Sequence, residues 1–513
     1  MAVSLDAWKV ELELAGYGLG WTDVTSDVIA ADRVKWRRGI MGSGPLDRVA
    51  TPGSLKFSLN NSERNSSSTI GYYSPGASSC RSGFDLGIRV RVRLSYASSY
   101  RTVFIGRVEE ITPTAGRYRD RRVVCTAYDW LEEAALFKIT GIGTQTSQRA
   151  DQVISTILAT MPLQPESTSF DTGRSTFAYA LDTARDESSF ALGEFQKLVM
   201  SEAGQLFVKG DGSLVFENRT SRPARTTVSA TLSNTMTDLA VNRRRDLVLN
   251  RVQATVHPRR VDTSYVTLFT LRTITQVRAG ETVSLFGGYV DPLQLASRVG
   301  GTDMQTPVAT TDYTFNAASD GSSTDLTSSL SVTMSAGFSA GGNGFYATIQ
   351  NTGSADGYIT AFRVRGKGIY DYENAVMVAQ NTASQATYGI NVLGVDMPYQ
   401  NDPSTGSSVA SYFVALYGAT SRTYATSVSF AANRDNAHML AALDCDISSR
   451  IALDETVTGL SSSGTQAFFI NGVEGDLGAR GVLSVKWTLA PADVERVWIL
   501  GTSALGVDTR LGY

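Results

Sequence analysis

The ten residues GIRVRVRLSY, from Gly87 to Tyr96, alternate arginine with an aliphatic residue. A two-residue period is typical of a β-strand, because successive side chains of a strand point to opposite faces of a sheet. The aliphatic set is Ile88, Val90, Val92 and Leu94, and the cationic set is Arg89, Arg91 and Arg93. The segment therefore predicts a strand with one buried face and one cationic face.

Further strand patterns surround this segment. The predicted strands are residues 8–14, 54–59, 103–108 and 121–128, with a hairpin connection at 97–100. The chain contains 47 glycines but only 13 prolines, a balance that favours many short strands joined by turns. Neighbouring strands of this kind predict a β-barrel or β-sandwich over residues 1–140.

The apolar period changes to that of an α-helix between residues 141 and 222. One helical stripe consists of Ala150, Val153, Ile154, Ile157, Leu158 and Met161. We expect Ser147 to cap this helix and Pro162 to end it. A second helix is predicted over 188–203 with Gly204 as its stop, followed by a hairpin whose strands are 206–208 and 214–216.

Residues 223–513 return to strand signals, with 248–256 among the clearest. A helix near 404–418 interrupts them, and either the Asp402-Pro403 pair or Ser407 would begin it. Residues 300–345 are rich in Ser, Thr, Gly and Asp, which predicts exposed loops of a β domain.

Composition excludes several classes of protein. The formal net charge is -3 over 513 residues, whereas nucleic-acid-binding domains usually carry a strong basic excess. The three cysteines, Cys80, Cys125 and Cys445, are too far apart in sequence for a zinc motif or a disulfide framework. We expect neither a signal peptide nor a membrane-spanning helix, because the start lacks a basic and apolar leader and no run of about 18 apolar residues occurs.

Few residues suggest catalysis or a cofactor. The only histidines are His257 and His438, and neither lies in a metal-binding or triad pattern. Carboxylate pairs occur at Glu109-Glu110, Glu132-Glu133 and Asp444-Cys445-Asp446; on a strand, the last pair would share one face. Solvated acids are the simpler interpretation, and we predict no enzyme activity, no metal and no cofactor.

The arginine face has two interpretations. Residues 81–122 contain ten arginines and no lysine against four acidic residues. Nucleic-acid binding would call for aromatic residues on the same face, but Tyr96 has the opposite parity. A solvated or protein-facing side is therefore favoured, and a phosphate-facing or lumen-facing side remains the alternative.

Taken in order, several segments resemble phage tail-tip hub proteins, the minor tail proteins related to baseplate hubs of contractile phages and to the base of type VI secretion spikes. The segments are 55–64, 72–75, 87–96, 104–108, 125–131, 195–216, 289–292, 388–389 and 505–513. The resemblance implies a mainly β protein with a minor α component. It also implies two tube-like β-barrel domains, one at 1–140 and one at 223–513, joined by a helix and hairpin region at 141–222. An inserted β-sandwich around 300–345 would be an addition to a minimal hub.

The resemblance also implies a function in the virion. Such a hub is a homotrimer at the tail tip, assembled in the bacterial cytoplasm, that closes the distal end of the tail tube and anchors a central fibre or spike. It takes part in host attachment and genome delivery. The implied partners are the tail tube or distal tail protein, the fibre or spike, the tape measure protein and DNA passing through the lumen, without membrane insertion.

In a hub, Arg89, Arg91 and Arg93 would face a neighbouring subunit or the lumen, because arginine makes multidentate contacts with carboxylates. Two other functions stay open at this point. One is a hexameric distal tail adaptor, and the other is a glycan-binding or cell-wall-acting tail protein.

Overall fold

The computed structural model describes residues 2–116, 121–140, 142–181, 186–334, 342–418, 424–461, 464–492, 496–497 and 509–510. These residues form a mainly β structure with a minor α component, which confirms the predicted fold class. The segment 505–513, which contributed to the resemblance, lies largely outside the described residues.

The strands of the first half of the chain are β1 (Ala7–Leu12), β2 (Thr22–Asp23), β3 (Val34–Gly39), β4 (Ser54–Asn60), β5 (Arg89–Tyr96), β6 (Ser99–Pro113), β7 (Arg122–Tyr128), β8 (Lys138–Thr140), β9 (Gln145–Arg149), β10 (Ser167–Phe170), β11 (Thr176–Ala180), β12 (Asp186–Phe190), β13 (Gln205–Val208), β14 (Ser213–Glu217), β15 (Ala230–Ser233), β16 (Asp238–Asn242) and β17 (Arg251–Val256). Those of the second half are β18 (Arg259–Val261), β19 (Val266–Thr270), β20 (Thr275–Val277), β21 (Thr282–Gly288), β22 (Arg298–Gln305), β23 (Tyr313–Asn316), β24 (Leu330–Met334), β25 (Gly344–Asn351), β26 (Gly357–Asp371), β27 (Ala375–Gln380), β28 (Val392–Met397), β29 (Tyr424–Ala431), β30 (Arg450–Asp454), β31 (Gln466–Leu477), β32 (Leu483–Pro491), β33 (Arg496–Val497) and β34 (Thr509–Arg510). The α-helices are α1 (Trp130–Leu136), α2 (Ala150–Thr160), α3 (Ala191–Glu202), α4 (Ser221–Ala224), α5 (Thr382–Tyr388), α6 (Pro403–Tyr417) and α7 (Asn436–Asp444).

The largest sheet has 13 strands and combines both ends of the chain. Its main path is β16-β29-β32-β31-β3-β4-β7-β6-β5-β1-β2, with β30 beside β31 and β15 beside β30. The N-terminal and C-terminal parts meet where β3 pairs with β31, from Val34 opposite Leu477 to Gly39 opposite Gly472. Parts of the segments 1–140 and 223–513 therefore share one sheet and one core. Among the described strands this path does not close on itself, so two separate barrels and their boundaries remain predictions.

The hairpin between β5 and β6 has a tighter turn than the predicted connection at 97–100. Only Ala97 and Ser98 connect the strands, and both have positive φ, 53° and 60°. Two consecutive left-handed residues define a type I′ turn, which matches the twist of antiparallel strands. Neither residue is Gly or Asn, so sequence propensity alone did not indicate this turn.

The helices of the middle segment follow the predicted stripes, although their starting residues differ. The whole stripe from Ala150 to Met161 is buried, as expected for α2. The N-cap of α2 is Arg149 and not Ser147, because residues 145–149 form β9 and pair with β11. Likewise α3 begins at Ala191 rather than at 188, because β12 occupies 186–190.

The end of α3 also differs from the prediction. The left-handed residue is Ala203, with a φ of 56°, and not Gly204. Glycine is nevertheless required at 204, since a Cβ atom there would lie 2.3 Å from the carbonyl oxygen of Glu217. The hairpin β13–β14 follows as predicted, with Gly212 in its turn at a φ of 84°.

Helix α6 confirms the predicted helix near 404–418. Asp402 is its N-cap and accepts a hydrogen bond from the Ser404 amide over 2.9 Å, while Pro403 occupies the first turn. This helix packs on the small sheet β27-β17-β28 and forms a second core with it.

A β-sandwich is inserted between β17 and β27, and it is larger than the predicted 300–345. One sheet is built on β26, which pairs with β18, β19, β20, β22 and β23; the other is β21-β25-β24. The two sheets pack through aromatic rings, with the centroids of Phe345 and Phe362 6.1 Å apart and those of Phe269 and Phe345 4.8 Å apart. The sandwich has its own core, separate from that of the large sheet.

Candidate functional site

Strand β5 separates its aliphatic and cationic side chains as the alternation predicted. The aliphatic residues without any exposed surface are Val90, Val92 and Leu94. On the other face Arg89 is 8% exposed, and the side chains of Arg91 and Arg93 are 21% and 28% exposed. We call Arg89, Arg91 and Arg93 the arginine face; it is partly covered by other parts of the same chain.

A glutamate of the neighbouring strand β1 binds two of these arginines. Arg91 lies opposite Glu11 in the antiparallel register, and its Nε donates a hydrogen bond to Glu11 Oε2 over 2.5 Å. Arg93 Nη1 lies 3.7 Å from the same oxygen. Since the Glu11 side chain is only 7% exposed, the two guanidinium groups compensate a carboxylate that has lost most of its water.

Arg89 has the most complete set of partners. Its Nη1 donates to Glu13 Oε2 over 3.1 Å, and its Nη2 forms an ion pair with Glu166. Its guanidinium also lies over the rings of Tyr17 and Trp21, 4.9 and 5.0 Å from their centroids. Arg89 is therefore a satisfied cation that ties β5 to β1 and to the loop before β10.

Aromatic rings also cover the other two arginines. The parity of Tyr96 had indicated that the cationic face carries no aromatic residues, and the structure corrects this. The guanidinium of Arg91 lies 4.3 Å from the ring centroid of Trp21, and that of Arg93 lies 4.5 Å from that of Tyr100. These rings come from the loop after β1 and from β6, so the parity of β5 could not reveal them. The cationic face thus carries the interleaved aromatic residues that its own strand lacks.

A further ion pair lies at the edge of this surface. Lys9, the register partner of Arg93, lies 3.1 Å from Asp23 Oδ2. Burial opposes ionisation of Asp23, but hydrogen bonds from Thr25 and from the Lys9 ammonium outweigh it and lower the pKa of the carboxyl. The hydrogen bond to Asp23 in turn raises the pKa of Lys9. Both groups are therefore charged at neutral pH.

Beside the arginine face lies a cleft with about 390 Å³ of empty space. Arg89, Arg107, Glu133 and Glu166 contribute charged groups to its wall. Arg107 Nε lies 3.3 Å from Glu133 Oε1. Burial raises the pKa of Glu133, and the nearby Arg107 opposes this effect.

The arginine side chains of this surface are suited to binding and orienting charged groups. Arginine stays protonated throughout the physiological range, so it cannot act as a general base. Its planar guanidinium can, however, exchange one carboxylate or ring partner for another at an interface. The chemistry available on the arginine face is therefore ion pairing and stacking.

Some partners of the arginine face could have been predicted from the sequence, and others could not. Glu11 and Glu13 alternate with apolar residues inside the predicted strand 8–14, so their placement on one polar face could have been predicted. Their pairing with β5 required the strand order of the sheet. Tyr17, Trp21 and Glu166 lie in loops without a periodic signal, and only the fold brings them to the arginines.

The candidate carboxylate pair at 444–446 does not lie on a strand, which was the condition for the two acids to share one face. Asp444 is the last residue of α7, and Cys445 is the helix C-cap. Arg101 Nε donates to Asp444 over 2.8 Å, whereas Asp446 forms an ion pair with the buried Arg38. The two carboxylates thus serve different ion pairs.

The histidines have local partners. His257 Nε2 lies 2.7 Å from Asp396, and His438 Nδ1 lies 2.7 Å from Asp435. Within the described residues, no three or more His, Cys, Asp and Glu side chains are grouped so as to hold a metal ion. None of the helices in the described ranges combines the length and apolarity that crossing a bilayer requires.

The sequence matches no protein-family model and no curated protein. Among solved structures, the chain is similar to the 43 kDa tail protein of prophage MuSo2 from Shewanella oneidensis, with a TM-score of 0.50 and 10% identity over 95% of this chain and 99% of that one. It is also similar to the tail protein from Neisseria meningitidis MC58, with a TM-score of 0.46 and 8% identity over 94% of this chain and 96% of that one.

A third similar structure belongs to a secretion system. The E. coli c3393 protein is described as a component of the type VI secretion system with structural similarity to the T4 tail proteins gp27 and gp5. Its TM-score is 0.38 and its identity 9%, over 94% of this chain and 77% of that one. The structural neighbours are thus proteins of phage tails, prophage tails and type VI secretion systems, and this chain shares the fold of the MuSo2 tail protein over nearly its whole length.

Proposed function

We propose that this protein is a non-enzymatic structural hub at the tip of a phage-type tail, and that it functions as a homotrimer. The observation that carries the proposal is the shared fold with the MuSo2 tail protein, which covers 95% of this chain and 99% of the other. A match of this extent leaves little of either chain for an unrelated catalytic domain. The segment order that resembled tail-tip hubs points to the same function.

In this proposal the hub closes the distal end of the tail tube and anchors a central fibre or spike. It contacts the tail tube or distal tail protein and the tape measure protein, and DNA passes through its lumen during delivery. Assembly takes place in the bacterial cytoplasm, and the mature protein belongs to the virion. The inserted sandwich is the part available for contacts at the periphery of the tip.

The arginine face is our candidate for the subunit interface or the lumen wall. It lies near one end of the described strand order, where β1 is covered by β2 only at Glu11 and Leu12. Val10 is covered as well, because its carbonyl oxygen accepts from the Val24 amide and its amide donates to Thr25 Oγ1. The start of β1 before Val10 is therefore the part of this edge to which a neighbouring copy could pair. Arg91 and Arg93 keep enough exposure to reach a carboxylate of that copy.

The oligomeric state tests this proposal. Native mass spectrometry and light scattering of the purified full chain, alone and with its tail-tube protein, should give closed trimers. Hexamers would favour a distal tail adaptor instead, and a monomer under every condition would overturn the hub. Cleavage of purified host cell wall by the protein would contradict the non-enzymatic function.

A pair of charge reversals tests the arginine face. Arg93→Glu removes a 3.7 Å contact with Glu11 and the contact with the Tyr100 ring. It leaves the shorter Arg91–Glu11 hydrogen bond in place, so the fold should persist while trimer formation weakens. Arg244→Glu is the matched control, because Arg244 is 64% exposed and its ion pair is with Asp246, two residues away. Equal assembly of both variants would remove the arginine face from the interface.

A further inference from the structure

Three buried arginines line a cleft where distant parts of the chain meet. The cleft, together with the open solvent at its mouth, has about 510 Å³ of empty space. It is bounded by the loop after β3, the segment after β14, the end of α6 and the strands β31 and β32. The arginines are Arg48, Arg219 and Arg222, with exposures of 7%, 8% and 6%. We call this feature the arginine cleft.

Arg48 has no carboxylate partner among the described residues. Its Nε donates to the carbonyl oxygen of Pro45 over 3.0 Å, and its Nη1 donates to those of Ala203 and Gly204 over 2.6 and 3.2 Å. Its guanidinium lies 4.8 Å from the ring centroid of Phe413. These groups supply hydrogen bonds and a ring face, but no full negative charge.

Arg222 is also incompletely satisfied. Its Nη1 donates to Asn471 Oδ1 over 2.7 Å and its Nε to Ser448 Oγ over 3.0 Å. Its Nη2 is buried and has no hydrogen-bond partner. Burial lowers the pKa of Arg222, and the nearby charge of Arg48 adds to that effect while Glu217 opposes it. An unpartnered buried guanidinium nitrogen of this kind calls for a bound water or ion.

Among the described residues, the guanidinium groups around the cleft outnumber the carboxylates that pair with them. Glu202 pairs with Arg219 over 3.0 Å. Glu217 is shared by Arg222 and Arg225, at 3.4 and 3.0 Å. With Arg48 included, these ion pairs between described residues give four guanidinium groups two carboxylates.

Asp47 is the acidic residue in the described wall of the cleft. It is exposed, and its Oδ2 accepts a hydrogen bond from the Gly44 amide over 2.8 Å. It thus lies toward solvent, and within the described wall it does not pair with the buried guanidinium groups.

We propose that the arginine cleft binds a small oxyanion from solution, of the phosphate or carboxylate class. Buried charges are costly unless they are paired, and guanidinium groups match the geometry of oxyanions. An anion between Arg48 and Arg222 would relieve their mutual repulsion and supply the acceptor that Nη2 lacks. Because the cleft joins four parts of the chain, binding would stabilise the junction between the large sheet, α6 and the middle segment.

Inorganic phosphate is the probe for this site. The full chain is titrated with phosphate at constant ionic strength, with sodium chloride as the balancing salt, while thermal melting and equilibrium dialysis are recorded. We expect saturable binding and a rise in Tm of a few degrees that chloride does not produce. The absence of saturable binding would overturn the proposal.

Matched variants assign the binding to the cleft. Arg48→Met and Arg222→Met should each weaken phosphate binding about tenfold or more, since each removes one charged donor. Arg244→Met is the control, because Arg244 is 64% exposed, pairs with Asp246 and does not line the cleft. Unchanged binding in Arg48→Met would overturn the proposal even if Arg222→Met failed to fold.

Discussion

Arg91 and Glu11 face each other across two antiparallel strands, and the Nε of the arginine donates to the carboxylate over 2.5 Å. The pair is mostly shielded from water, with side-chain exposures of 21% and 7%. It therefore couples β5 to β1 within one chain, whatever further contacts the arginine face makes in an assembly.

Reversal of the arginine charge should destabilise the fold. In Arg91→Glu two carboxylates would lie opposite each other, and we expect a loss of about 1–3 kcal/mol in the free energy of unfolding. The measurement is urea denaturation followed by tryptophan fluorescence. Combining Arg91→Glu with Glu11→Arg should recover at least half of the loss, and no recovery would show that the two side chains are not coupled.

Asp129 should make stability depend on pH. It is the N-cap of α1 and accepts from the Leu131 amide, while its Oδ2 is buried without a partner. Burial raises its pKa to about 7, against opposing hydrogen bonds and the charge of Arg38. The folded state thus holds this proton more tightly than the unfolded state, so stability should fall as pH rises from about 4 to about 7.

Asp129→Asn tests this dependence, because asparagine retains a side-chain oxygen for the cap but does not titrate. Urea midpoints of the variant and the wild type should diverge progressively between pH 4.5 and pH 7.5, assay values chosen to bracket the window expected from linkage. Parallel curves across that range would contradict a raised pKa at Asp129.

The turn at Ala97 and Ser98 should accept a more favourable sequence. Both residues have positive φ, which Asn and Gly adopt at lower cost. Ala97→Asn combined with Ser98→Gly is expected to stabilise the β5–β6 hairpin by about 0.5–1 kcal/mol. Ser98→Val, the opposite change, should lower the thermal midpoint; a neutral result for both would argue against the type I′ turn.

The inserted sandwich should be removable. Arg259 and Asp371 are register partners at its base, and the Tyr372 amide donates to the Pro258 carbonyl over 3.1 Å, so the two ends of the insertion are adjacent. Replacing residues 259–371 by a short Gly-Ser linker should leave the large sheet folded, as judged by circular dichroism and by a cooperative thermal transition.

A point substitution in the sandwich core should unfold the sandwich and leave the large sheet folded. Phe345→Ala removes a ring at the centre of the sandwich core and should destabilise that unit by about 3–5 kcal/mol. Limited proteolysis of this variant should cut within 259–371 first, while the rest of the chain persists. Simultaneous digestion of the whole chain, or aggregation of the deletion variant, would show that the sandwich and the large sheet depend on each other.

The sequence predicted features that depend on neighbouring residues more accurately than features that depend on residues far apart in the chain. The apolar stripe of α2 was predicted because every third or fourth residue is apolar, and the two faces of β5 were predicted because every second residue is apolar. Both patterns can be recognised from residues that are close in sequence. The starts of α2 and α3 were wrong because β9 and β12 pair with distant strands, and that pairing overrode the expected caps. The extent of the sandwich was underestimated because its strands outside 300–345 have ordinary compositions.

The sequence by itself determined the mainly β class, the two-faced strand at 87–96 and the three principal helices, since each depends on the periodicity of neighbouring residues. Only the tertiary structure decided that β3 pairs with β31, that Glu11 and Trp21 cover the arginines, and that Arg48 and Arg222 meet in one cleft. Those contacts join residues separated by tens to hundreds of positions. Their partners are selected by strand order and by the compensation of buried charge, which no local pattern encodes.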